Sequence, residues 1–128
     1  MDYVNYNANP KGRKTGDCVI RATCTALNEK WEDIYRDLFE FCIKRCLMID
    51  SKNGYEAYLE HRGLKKQKMP RREDNTRYTV KEFADELANE NKTYILSIAG
   101  HMTCLKGHTL YDTWNCSEKS VGNYWIVG

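Results

Sequence analysis

The chain has 128 residues, enough for one domain that buries a sizeable core without covalent staples. Hydrophobic residues make up 41% and charged residues 30%, a profile that excludes a disordered chain, and two prolines with eight glycines exclude a collagenous one. Twenty basic residues against eighteen acidic ones leave a net charge of only +2, which argues against a dedicated nucleic-acid binder.

No apolar run is long enough to span a bilayer, and Met1-Asp2-Tyr3 opens neither a basic nor an apolar leader. The expected setting is therefore the cytoplasm, away from membranes, where thiols stay reduced. Six cysteines stand at 18, 24, 42, 46, 104 and 116. No pair has Cys-x-x-Cys spacing, and Cys42 and Cys46, one helical turn apart, lack a matching His-x-x-x-His. No metal and no cofactor is expected, and the cysteines other than Cys18 are expected to be reduced and mostly buried.

In chain order, residues 1–17 are polar and turn-rich and read as an extended arm and loop. A helix is expected from Asp17, its N-cap, carrying Val19, Ile20, Ala22, Thr23, Ala26 and Leu27. After Asn28 a second helix puts Trp31, Ile34, Tyr35, Leu38, Phe41 and Cys42 on one face. Lys52-Asn53-Gly54 breaks the chain before a short helix with Tyr55, Tyr58 and Leu59, which Gly63 ends. Residues 61–77 hold eight basic side chains with little aromatic interleaving, and read as a solvated, mobile loop. Thr79-Val80-Lys81-Glu82 is a capping box that opens a helix through Phe83, Ala84 and Leu87.

The period then changes from helical to alternating. Strands are expected over 93–99, 101–105, 109–112 and 124–127, with Gly107-His108 as a tight turn. Helices first and antiparallel strands last predict an α+β domain over 1–128, with the N-terminal helices packed on a C-terminal antiparallel sheet.

Cys18 enters the first helix at its N-terminus, where the macrodipole and free N–H groups favour a thiolate, and Arg13 and Lys14 add positive charge just upstream. His101 opens a strand among small residues, Ala99-Gly100-His101, where a general base has room to face a cleft. His108 in a turn and His61 at a helix end are weaker positions. A hairpin returning through Gly107-His108 is expected to pair Asp112 directly with His101 and so orient the imidazole; Asn115 is the alternative orienter, and Asp112 as a mere turn residue is the bland reading.

Cysteine at a helix start, histidine on a strand and Asp or Asn on the next resemble the papain-like cysteine peptidases, most closely their compact C39-like type, which Asp17-Cys18, His101 and Asp112 match. More narrowly, residues 13–22, His101-Met102-Thr103 and residues 111–116 look like small proteins of bacteriophages and their bacterial hosts. The resemblance implies a compact papain-like fold and a Cys18-His101-Asp112 triad, acting as a hydrolase or acyl-transfer enzyme on a peptide or a small amide or thioester. The other class of reading is a phage accessory protein that binds and disables a host protein, in the host cytoplasm, without catalysis. One departure stands out: papain-like enzymes complete the oxyanion hole with a glutamine shortly before the cysteine, and residues 1–17 hold none. The Cys18 backbone N–H remains as one donor, with Asn9, Lys14 or Thr15 as replacements for the other.

Overall fold

The computed structural model describes residues 1–127. Its elements are β1 (Asp2–Asn5), α1 (Cys18–Leu27), α2 (Trp31–Arg45), α3 (Lys52–His61), β2 (Lys65–Gln67), α4 (Val80–Glu86), β3 (Thr93–Ile98), β4 (His101–Lys106), β5 (Thr109–Asp112) and β6 (Tyr124–Val127). The fold is α+β, as the pattern predicts. One six-stranded sheet, in the order β1-β5-β4-β3-β6-β2, carries helices on both faces.

Within 93–127 every strand pair is antiparallel. The sheet as a whole is mixed, because residues 2–5 are not a free arm but an edge strand parallel to β5, from Asp2 beside Thr109 to Asn5 beside Asp112. The opposite edge is β2, whose Lys-Lys-Gln sequence pairs with β6. Both additions are short and mostly exposed, as suits sheet edges that stay wet.

Alternation along β3 splits the core into two clusters. Ile95 faces α1, α2 and α3 together with Met102, Cys104 and Trp125. Tyr94, Leu96 and Ile98 face the other way, onto Val80, Phe83 and Ala84 of α4. On α2 the faces follow the helical period: Ile34, Leu38, Phe41 and Cys42 are buried, whereas Tyr35, assigned by its spacing to the same face, is exposed. Among the described residues no helix is long and apolar enough to cross a membrane.

Three further expectations are corrected. Asp17 precedes α1 but makes no side-chain cap; its carboxylate is committed elsewhere. Lys52-Asn53-Gly54 does not break the chain but forms the first turn of α3. Gly54 is required there because a Cβ would collide with the Met48 carbonyl oxygen. The basic run is not a bare mobile loop but is pinned along its length. Arg62 pairs with Glu29 and, at 3.0 Å, with Asp37, while Lys66 meets Glu56 at 2.6 Å. Arg72 reaches Glu86 at 2.9 Å and lies over the Tyr78 ring.

The capping box of α4 is complete: Glu82 N–H donates to the Thr79 hydroxyl at 3.1 Å, and Thr79 N–H donates to the Glu82 carboxylate at 2.9 Å. Thr79→Ala removes one half and is expected to cost about 1 kcal/mol. A shift of the urea midpoint at unchanged slope checks this.

Candidate active site

Two local features deliver the side chains. Cys18 is the first residue of α1, and α1 lies along β4. Across the sheet, Ala99-Gly100 is a two-residue turn between Ile98 and its partner His101, and Gly100 takes the left-handed conformation (φ 65°) that this turn needs. His101 is thereby the first residue of β4, at the end of the sheet nearest the start of α1.

His101 Nε2 lies 2.7 Å from Asp112 Oδ2. The backbone route to that contact differs from the expected one. β4 and β5 pair Lys106 with Thr109, Leu105 with Leu110 and Cys104 with Tyr111, a register two residues away from a direct His101–Asp112 pair. The two side chains meet across the diagonal instead, within reach of an imidazole and a carboxylate. Asp112 is buried, and its Oδ1 accepts the Thr113 backbone N–H at 2.7 Å. Asn115 is no orienter: it is exposed, and its side-chain oxygen accepts the Ser117 N–H at 3.0 Å.

Because Asp112 engages Nε2, Nδ1 is the nitrogen left to meet the thiol. Burial by itself raises the pKa of Cys18. The His101 ring, the Met102 backbone amide and the charges of His101 and Arg21 outweigh it and bring the thiol below its ordinary value. For His101, burial disfavours the charged ring, yet Asp112 and Cys18 together raise its pKa to about 9. Asp112 in turn is held below the usual carboxylate range: desolvation opposes this, and the bond to His101 is the largest contribution in its favour. All three shifts favour the thiolate, imidazolium and carboxylate forms, the charge pattern of an activated cysteine.

The other thiols differ in kind. Burial pushes Cys24 and Cys116 up to about 11, Cys104 to about 12, and Cys42 upward. Of the five expected to be mostly buried, four are buried and Cys46 is exposed; all six are free.

Residues that spacing alone did not single out complete the site. The Asp17 carboxylate accepts Asn9 Nδ2 at 3.1 Å, Trp31 Nε1 at 2.9 Å and Arg21 Nη1 at 2.5 Å. Arg21 Nη2 stands 3.9 Å from Asp112 Oδ1, so one guanidinium spans the carboxylates before α1 and at the end of β5. The i, i+4 spacing of Asp17 and Arg21 on a helix start was the available signal. Trp114 packs its ring on His101, centroids 5.2 Å apart. His61 ends α3 against Phe41, and the exposed His108 bonds the Ala84 carbonyl at 2.7 Å; neither approaches Cys18.

A cleft of about 350 Å³ opens onto Cys18 and His101. Its walls include Ile20, Leu38, Ile49 and Met102, with Lys52, Tyr55 and Ser97 as polar groups. Lys14 and Thr15 do not line it, and Asn9 is buried with its amide on Asp17. A larger groove of about 550 Å³, with Tyr6, Trp31 and Tyr111 on its walls, lies toward the other end of α1. Of these two, the smaller one is lined by the lowered thiol and by His101.

His101, Asp112 and Cys116 offer nitrogen, oxygen and sulfur atoms all within 4.8 Å of one another, with Cys116 Sγ 3.8 Å from Asp112 Oδ2. These donor types suit zinc. A metal there would have to take the Asp112 oxygen that His101 now holds, so the set competes with the imidazole–carboxylate pair.

Comparison with protein-family models, curated proteins and solved structures finds no match.

Two measurements test the electrostatics. Iodoacetamide is expected to label Cys18 well before the four buried thiols, with a rate that follows a titration below that of free cysteine; equal labelling of all six would contradict the site. By NMR, His101 should titrate near 9 and fall back toward 6.5 in Asp112→Ala. Since the folded value is the higher, the ring's contribution to stability is complete below pH 6.5 and is lost as pH rises through about 9.

Proposed function

We propose that this protein is a cysteine-nucleophile hydrolase or acyl-transfer enzyme of papain-like type. The observation that carries the reading is the Cys18–His101–Asp112 chain, with one thiol lowered while buried neighbours are raised. Cys18 Sγ attacks an acyl carbon, forming a sulfur–carbon bond as the carbonyl π-electrons move to oxygen. The His101 imidazolium gives its proton to the departing amine, alcohol or thiol as the tetrahedral adduct collapses to an acyl-enzyme. Neutral His101 then takes a proton from water or a second acceptor, which attacks the thioester and releases Cys18. Asp112 holds the ring and balances its charge throughout, and Trp114 shields its outer side.

The developing oxyanion is met by the Cys18 backbone N–H at the start of α1. In place of the family's glutamine we infer the Tyr55 hydroxyl, which lines the same cleft. Burial, the Glu56 carboxylate and the charge on Cys18 all keep that hydroxyl protonated and able to donate. The cleft is small, so a short peptide segment or a compact amide or thioester fits it better than a folded protein.

A chromogenic acyl ester tests the chemistry without knowledge of the natural substrate. The expected result is a burst of leaving group and one acyl adduct on Cys18 by mass spectrometry. Cys18→Ala and His101→Ala should each abolish it, and the double variant should be little worse than either single. Asp112→Ala should cost about a hundredfold less than either. The pH profile should rise as Cys18 ionises and fall as His101 deprotonates near 9. Acylation no faster in the native chain than in Cys18→Ala would reject catalysis and favour the binding reading.

A further inference from the structure

The exposed side of α2 is independent of the cleft. Tyr35, Phe39 and Ile43 recur every fourth residue, so they form one row, and they are 43%, 46% and 59% exposed. Trp31 extends the row at its start, its ring tilted against Tyr35 with centroids 5.3 Å apart. A shallow apolar depression of about 450 Å³ lies over Trp31, Tyr35 and Phe39. Large side chains in a continuous exposed row are the usual mark of a contact surface.

The charges beside the row point to its occupant. Arg36 and Glu40 form the adjoining row, one on each side of the midpoint near Phe39. Arg36 has only an exposed 3.5 Å pair with Asp33, and Glu40 has no partner among the described residues. A twofold axis through Phe39 sets a second α2 antiparallel to the first and keeps the same flank on the same side. Tyr35 then faces Ile43 of the other copy, Phe39 faces Phe39, and Arg36 meets Glu40 twice.

We propose that α2 is a homodimerisation face, occupied by a second copy of this chain in antiparallel orientation. A helix of 15 residues is about 22 Å long, so the row covers less than the roughly 800 Å² per partner of a standard interface. The dimer is therefore weak and exchanging rather than obligate.

Sedimentation velocity of the full chain, from low micromolar to millimolar concentration, tests this. The mass is expected to rise from 15.0 kDa toward twice that value. Phe39→Asp, at the centre of the contact, should weaken association at least about tenfold. Arg36→Glu and Glu40→Arg should each weaken it by placing like charges together twice, and the double swap should restore it close to the native strength. All three positions are exposed or flank exposed residues, and an unchanged Cys18 alkylation rate would show that the variants fold. A chain that stays monomeric throughout, or association that Phe39→Asp leaves intact, would overturn the proposal. A double swap no better than the singles would overturn it as well, because the twofold pairing of Arg36 with Glu40 predicts rescue.

Discussion

The site rests on one buried carboxylate. Asp17 sits just before α1, where a side-chain cap would ordinarily be, and spends its two oxygens on Asn9, Trp31 and Arg21 instead. Each partner belongs to a different piece of chain: the N-terminal loop, the start of α2 and the first turns of α1. Arg21 then carries the connection to Asp112. Buried charge is costly unless every group finds a partner, and breaking such a network by removing one member leaves the others orphaned. The network therefore fixes how α1 enters the fold, and with it where Cys18 stands relative to His101.

That placement explains why six cysteines have such different characters. Burial alone turns a thiol into a small, inert hydrophobe, which is the state of Cys24, Cys42, Cys104 and Cys116. Cys18 is half-buried too, yet it faces an imidazole whose far nitrogen is held by a carboxylate. Asp112 in its turn is flanked by a backbone N–H and, more distantly, by a guanidinium. Positive and negative groups thus alternate from Cys18 to Asp17, so that burying them together is tolerable where burying any one alone is not.

Much of this was legible in the sequence. The 3.6-residue period marked α1 and α2, the Thr79–Glu82 box marked α4, and alternation marked β3. Hairpin logic brought His101 and Asp112 together, and the resemblance to papain-like enzymes added Cys18 to them. What escaped has a physical cause in each case. β1 and β2, four and three residues long, are too short to carry a period, and they exist as strands only because distant partners accept them. The His101–Asp112 contact survived a two-residue error in register, since long side chains bridge a diagonal. Asp17 looked like a cap because local pattern cannot see Trp31 or Asn9 arriving from elsewhere. Asn115 stood as the alternative to Asp112, and the turn after β5 separates them, sending Asn115 into solvent.

The parallel pairing of β1 with β5 has a consequence for the order in which the molecule is made. The Tyr3 hydroxyl bonds the Asp112 carbonyl across 109 residues of sequence, and Tyr6 N–H bonds the same oxygen. Translation runs from the N-terminus, so β1, the Asp17 loop and the helix bearing Cys18 emerge long before His101 and the strand they must meet. For most of synthesis Cys18 lacks both the imidazole and the carboxylate behind it, and behaves as an ordinary thiol. The environment that lowers its pKa arises only when the sheet closes around β4 and β5, so a stalled or truncated nascent chain carries an ordinary cysteine.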